Sequence, residues 1–102
     1  MEKTALHTFE MAGEKTGGFL GFGGTKPMLS IFDDGFGWPE GKEKKFVPFS
    51  SVKQLKYNKY YSTVTIVFSE TKRIPLLNIQ IFEMMWADFS RKKNLTLKLI
   101  AE

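Results

Sequence analysis

The sequence predicts a mainly β domain of the α+β class, a small barrel closed by one helical plug. Three observations carry that expectation. Short strand-like runs fill the chain from about Thr4 to Leu77, one stretch of helical periodicity follows from Asn78 to Lys93, and Gly, Pro, Asn or Asp punctuates the runs. At 102 residues the chain reads as a single domain over 1–102, with strands over about 4–77, the helix over about 78–93 and a tail over 94–102. A domain of this length buries about two-thirds of its unfolded surface. An apolar content of 42% with ten Phe can supply that core and argues against disorder.

Thr4 to Met11 carries Leu6, Phe9 and Met11 among polar neighbours and reads as a first strand. Gly13-Glu14-Lys15-Thr16-Gly17-Gly18 is a turn-rich break, and Phe19 to Gly24 is a glycine-studded apolar run suited to a bulged strand. Met28 to Phe32 is the next strand. Asp33-Asp34-Gly35 then signals a hairpin, with glycine expected to supply a positive φ. Phe36-Gly37-Trp38 is the partner, Pro39-Glu40-Gly41-Lys42 is expected to break it, and Lys44 to Phe49 resumes an extended path. Ser50 to Lys53 reads as a turn or one short helical turn.

Leu55 to Tyr60 and Thr63 to Phe68 are rich in β-branched and aromatic residues and are expected to pair through Tyr61-Ser62. In the second, Val64, Ile66 and Phe68 share one face while Thr63, Thr65 and Val67 share the other. Arg73 to Leu77 is a further strand, placed at an edge or ending near Pro75, which has no N–H to donate. Asn78 is the expected N-cap. After it Ile79, Phe82, Met85, Trp86 and Phe89 form one apolar stripe, Arg91-Lys92-Lys93 complements the negative helix end, and Asn94 ends it. Leu95, Leu97 and Leu99 alternate with Thr96 and Lys98, so the tail is one more strand or a docked extension.

The absence of cysteine removes disulfides, thiolate zinc sites and thiol nucleophiles together. With an N-terminus, Met1-Glu2-Lys3-Thr4, that lacks a basic start and apolar run, it points to a cytoplasmic protein. No apolar stretch approaches the roughly 20 residues that span a bilayer, so no transmembrane segment is expected. Charge is uneven: residues 1–40 carry a net −3 and residues 41–102 a net +7. A basic face attracts nucleic acid, anionic lipid or acidic protein, although lysines also guard the edge strands of small β domains.

Chemistry-bearing motifs are sparse. A phosphate-binding loop needs Gly, four residues, then Gly-Lys-Ser/Thr. Counting from Gly18, Gly24 stands where that Lys is required, and Pro27 with a β-like run follows in place of a helix. His7 is the one histidine and reads as structural or solvent-exposed. Asp33 and Asp34 look like paired carboxylates, but neighbours on an extended chain point to opposite faces and a hairpin turn accounts for both. No Ser-His-Asp arrangement stands out, so no catalytic residue, cofactor or metal is expected.

Two basic regions are candidate binding surfaces. Lys53, Lys56 and Lys59 interleave with Tyr57, Tyr60 and Tyr61, a mixture that can neutralise a nucleic-acid backbone and stack its bases. The same tyrosines could equally be core. Lys42, Lys44 and Lys45 surround the Pro39–Gly41 turn, a loop that could meet a phospholipid headgroup or simply be solvated. The helix stripe is expected to be buried as the plug.

Met28-Leu29-Ser30-Ile31-Phe32-Asp33-Asp34-Gly35-Phe36, then Phe46-Val47-Pro48-Phe49-Ser50-Ser51-Val52-Lys53-Gln54-Leu55, two β-rich strands and a closing helix resemble the bacterial pleckstrin-homology-like (PH-like) domains. In that family a strand–turn–strand precedes an Ile-Pro-aromatic-x-x-Ile/Val segment, matched here by Val47-Pro48-Phe49-Ser50-Ser51-Val52 with Val in the first place. The similarity covers about Phe19 to Lys93. Leu20-Gly21-Phe22-Gly23-Gly24 is also similar to a run in small proteins linked to mannose phosphotransferase operons, which look PH-like as well.

The resemblance implies a bent antiparallel sheet, a partly open barrel of about seven strands, capped at one open end by the C-terminal helix. It also implies a non-enzymatic binding or scaffolding role. Phosphoinositide binding does not carry over, because the matching segment around Glu14-Lys15 is glycine-rich with one Lys. The first expectation is therefore an adaptor that binds protein, with self-association through edge strands or the tail. The rivals are an electrostatic binder of nucleic acid or anionic membrane through residues 42–59, and a small phage or mobile-element inhibitor.

Overall fold

The computed structural model describes residues 4–12 and 27–102. The turn-rich break and glycine-studded strand expected over 13–24 lie outside the described residues. In chain order the elements are β1 (His7–Glu10), β2 (Met28–Ile31), β3 (Gly35–Glu40), β4 (Glu43–Pro48), a single 3-10 turn (Phe49–Ser51), β5 (Gln54–Asn58), β6 (Thr63–Val67), β7 (Thr71–Pro75), α1 (Ile79–Lys92) and β8 (Leu99–Ala101).

The strands form two four-stranded sheets, β1-β2-β3-β4 and β7-β6-β5-β8. Every pairing is antiparallel except β5 with β8, which is parallel. Among the described residues the main chains of the two sheets meet at one corner. There Met11 bridges Leu76, the Ala12 N–H donates to the Pro75 carbonyl at 2.9 Å, and the Leu77 N–H donates to the Glu10 carbonyl at 3.1 Å. The sheet is not closed, so the architecture is a partly open, mainly β fold with its helix on the C-terminal side. The described strands number eight against the expected seven, because the tail contributes β8.

Sequence and structure part company at three turns. Asp33 and Asp34 do form the β2–β3 turn, but Gly35 is the first residue of β3 and its φ is not positive. Glycine is needed there for space: a Cβ would lie 2.4 Å from the Val47 carbonyl oxygen and 2.6 Å from Phe46 Cζ. Pro39 does not break β3. The two-residue turn Gly41–Lys42 has Gly41 at φ 63° and Lys42 at negative φ, the type II′ pattern, and closes on the Glu40–Glu43 pair. The next pair, Pro39 with Lys44, is then a non-hydrogen-bonded one. The missing N–H points away from β4, and the pairing with β2 reaches no further than Gly37.

The third difference is β5, which ends at Asn58. Lys59, Tyr60, Tyr61 and Ser62 make a four-residue turn in which Ser62 adopts φ 55° and the Asn58 side chain accepts from the Tyr61 N–H at 3.0 Å.

The core lies between the sheets and α1. Val64, Ile66 and Phe68 of the second sheet side are buried as their alternation predicts, and so are Leu29, Ile31, Phe36, Trp38 and Val47 of the first. Ile79, Phe82, Trp86 and Phe89 bury one stripe of α1, and Met85, the fifth expected member, is half-buried against the same core. The rings of α1 meet those of the first sheet and of the 3-10 turn: Phe9 packs on Phe82 at 5.1 Å, Phe36 on Trp86 at 5.3 Å, and Phe49 of the turn on Trp86 at 5.7 Å. Offset and edge-on ring pairs of this kind add about 0.5–1.5 kcal/mol each beyond area burial.

Both helix ends obey the sequence. The Asn78 side chain accepts from the Ile81 N–H at 3.2 Å. At the other end Asn94 takes φ 56°, while the Leu95 N–H donates to the Ser90 carbonyl at 2.9 Å and the Asn94 N–H to Arg91 at 3.1 Å. This is a Schellman stop, and it turns the chain back along the helix towards β5.

Candidate functional site

The predicted basic and aromatic residues do not form one surface. Tyr57 faces inward from β5 and is buried, whereas Tyr60 in the following turn is 86% exposed. Lys56 lies on the outer face of the second sheet, opposite Thr65 and Ile100. Lys42 sits at the β3–β4 turn and Lys44 on the adjoining strand, both exposed. Lys59 belongs to the β5–β6 turn and pairs with Glu83 of α1 at 3.6 Å.

Lys45 and Lys53 are brought together. They line a groove of about 510 Å³ with Phe46, Pro48, Ser50 and Phe68. Lys45 is already engaged there, 3.7 Å from Glu70 and 5.7 Å above the Phe68 ring. Beside it the Trp38 indole donates to Glu40, which Lys72 approaches at 3.4 Å. The indole hydrogen bond first, and then Lys72, hold the Glu40 carboxyl below its ordinary range.

A second cleft, of about 420 Å³, lies between α1 and the tail. Tyr57 donates its hydroxyl proton to Glu83 at 2.7 Å on one wall, and that bond raises the Tyr57 pKa. Across the cleft the Trp86 indole N–H donates to the Leu97 carbonyl at 3.3 Å and ties the tail to the helix. Ser90, Arg91 and Lys98 also line it. Asp88 receives Arg91 at 2.8 Å and Lys92 at 3.1 Å, and those cations, Lys92 first, lower its pKa.

Sequence reasoning named Tyr60 and Tyr61 only as stacking partners of the lysines and did not single out Leu77 or Met84. Tyr60, Tyr61, Leu77 and Met84 are 86%, 68%, 63% and 71% exposed. Their elements are tied together: the Ser62 hydroxyl donates to the Leu76 carbonyl at 2.7 Å, the Leu76 N–H donates to the Ser62 carbonyl at 2.8 Å, and Lys59 pairs with Glu83. For Met84 the signal was its place off the helix stripe, and for Leu77 there was none, because an apolar residue at a strand end is assigned to the core by default.

His7 sets its ring edge-on to Phe89 at 5.9 Å. Asp33 is exposed and pairs with Lys93, while the Asp34 carbonyl accepts from the Phe49 N–H at 2.9 Å. Among the described residues no group of three or more His, Cys, Asp or Glu is placed to hold a metal ion. No described helix is long and apolar enough to cross a membrane. No protein-family model matches this sequence, and a search of curated proteins finds no match.

Proposed function

We propose that this chain is a non-enzymatic, PH-like binding module that acts through protein–protein contacts. The observation that carries the reading is the exposed Tyr60–Tyr61 pair, 4.8 Å between rings in the β5–β6 turn and tied through Ser62 to the strand end that bears the exposed Leu77. Large exposed apolar side chains grouped at one end mark interaction sites, and tyrosine is enriched in interfaces because it buries much area at low conformational cost. Tyr60, Tyr61 and Leu77 offer that chemistry on elements held in place by the Ser62–Leu76 hydrogen bonds. Capture of a partner from host extract tests it. Replacing Tyr60 and Tyr61 by Ser should abolish capture, while Lys42→Glu with Lys44→Glu should leave it intact and moderate salt should hardly weaken it. Loss through the lysine pair alone, with the tyrosine variant unaffected, would refute the reading.

An electrostatic role for residues 42–59 is favoured by one observation, the shared groove of Lys45 and Lys53. Against it, Lys45 and Lys59 are held by Glu70 and Glu83. Nucleic-acid binding through this region should fall steeply between low and moderate salt.

A further inference from the structure

The tail is attached to the second sheet unlike any other strand. β8 is three residues long, runs parallel to β5, and is reached through Leu95–Lys98, which form no regular element. Leu95, Leu97 and Leu99 pack against the core but stay half-buried, and Ile100 is 48% exposed. The strand it covers is different: Leu55 and Tyr57 of β5 are buried and paired with β6 over five positions. Beside the tail the cleft against α1 leaves about 420 Å³ unfilled. Its charges are already paired: Asp88 holds Arg91, Tyr57 and Lys59 hold Glu83, and Lys98 belongs to the tail itself.

We propose that the β5 edge and the adjoining cleft are a docking site for an extended protein segment, and that the chain's own residues 95–101 occupy it as an exchangeable placeholder. The seated tail defines the ligand. It is a strand running parallel to β5, with apolar side chains at alternate positions directed at the core. Backbone ladder bonds give such a strand its affinity and the alternate side chains give its specificity. The unfilled volume accepts a side chain larger than leucine at the place of Leu97. This inference specifies a site within the protein-binding reading above and is separable from it, because it uses neither Tyr60 nor Tyr61.

The probe is a synthetic peptide of residues 94–102 with Leu97→Phe, titrated into the full chain and into its Leu99→Ala variant. Its seating is followed by the NMR signal of the Trp86 indole N–H, which bonds the Leu97 carbonyl when the tail is docked. Binding should shift that signal in both proteins. The variant should bind more tightly, on the order of tenfold, because a docked tail lowers apparent affinity by the fraction of molecules in which the site is open. The same peptide with Leu99→Asp should not bind. Failure to bind the full chain at millimolar peptide, or binding that leaves the indole signal unmoved, overturns the proposal. If the variant did not fold, the titration of the unaltered chain would still decide. Partner capture through Tyr60 and Tyr61 without peptide binding would reject this site and keep the broader reading.

Discussion

The two outer flanks of the second sheet are closed by different means. On the β7 side, Pro75 ends the strand and the chain continues into the Met11–Leu76 bridge, so that flank is welded to the first sheet. On the β5 side a three-residue parallel strand from the far end of the chain covers the edge, and space remains between it and the helix. Stability is concentrated where strands, bridge and aromatic helix face meet. The β5 flank is held by a strand of only three residues with half-buried side chains, and short segments of that kind open locally at low free-energy cost. A small domain can therefore keep one rigid core and still carry a loosely covered edge.

Substitutions should separate the two flanks, most strongly at the core. Phe82→Ala, at a fully buried ring packed on Phe9, should cost about 3–5 kcal/mol in equilibrium denaturation. Gly35→Ala drives a methyl group against the Val47 carbonyl oxygen and should cost about 1–3 kcal/mol by the same measurement. Asn78→Ala removes the cap at Ile81 and should cost about 1 kcal/mol. Leu99→Ala trims a half-buried side chain, so its global effect should be smaller than that of Phe82→Ala while the exchange of tail amides rises. A cost for Leu99→Ala equal to that of Phe82→Ala would erase the distinction.

Smaller still is the pH dependence, read from melting temperature. Glu40 and Asp88 have lowered pKa values in the fold, so their contributions are complete above the ordinary 4.5 and 3.8. They fade as pH falls through the lowered values. Tyr57 has the opposite sign. Its contribution is complete below the ordinary 10.0 and is lost as pH rises through the raised value. Asp88→Asn should flatten part of the acid limb and leave the alkaline limb unchanged.

Much of the scaffold was legible in the chain. The stripe Ile79–Phe82–Trp86–Phe89, the Asn78 cap and the Asn94 stop follow from helical period and terminal hydrogen bonding, which are local. Alternation likewise placed Val64, Ile66 and Phe68 inside. Turn details were less legible because they depend on distant neighbours. Gly35 answers to Val47 and Phe46, and Pro39 is tolerated because β2 pairing stops short of it. The candidate sites were least legible of all. Nothing within Leu95–Glu102 says that this segment lies parallel to β5, and Tyr57 and Tyr60 look alike until one is buried and the other is at a turn.

Amide hydrogen exchange along β5 and β8 tests the central contrast most directly. The Glu102 N–H donates to the Tyr57 carbonyl at 2.8 Å, whereas β5 and β6 are paired over five positions. Glu102 and the β8 amides should exchange through a local opening, far faster than those of β6 and at rates that Phe82→Ala hardly alters. Protection of β8 equal to that of β6, lost in parallel in Phe82→Ala, would make the tail an integral strand of the core and remove the difference between the two flanks.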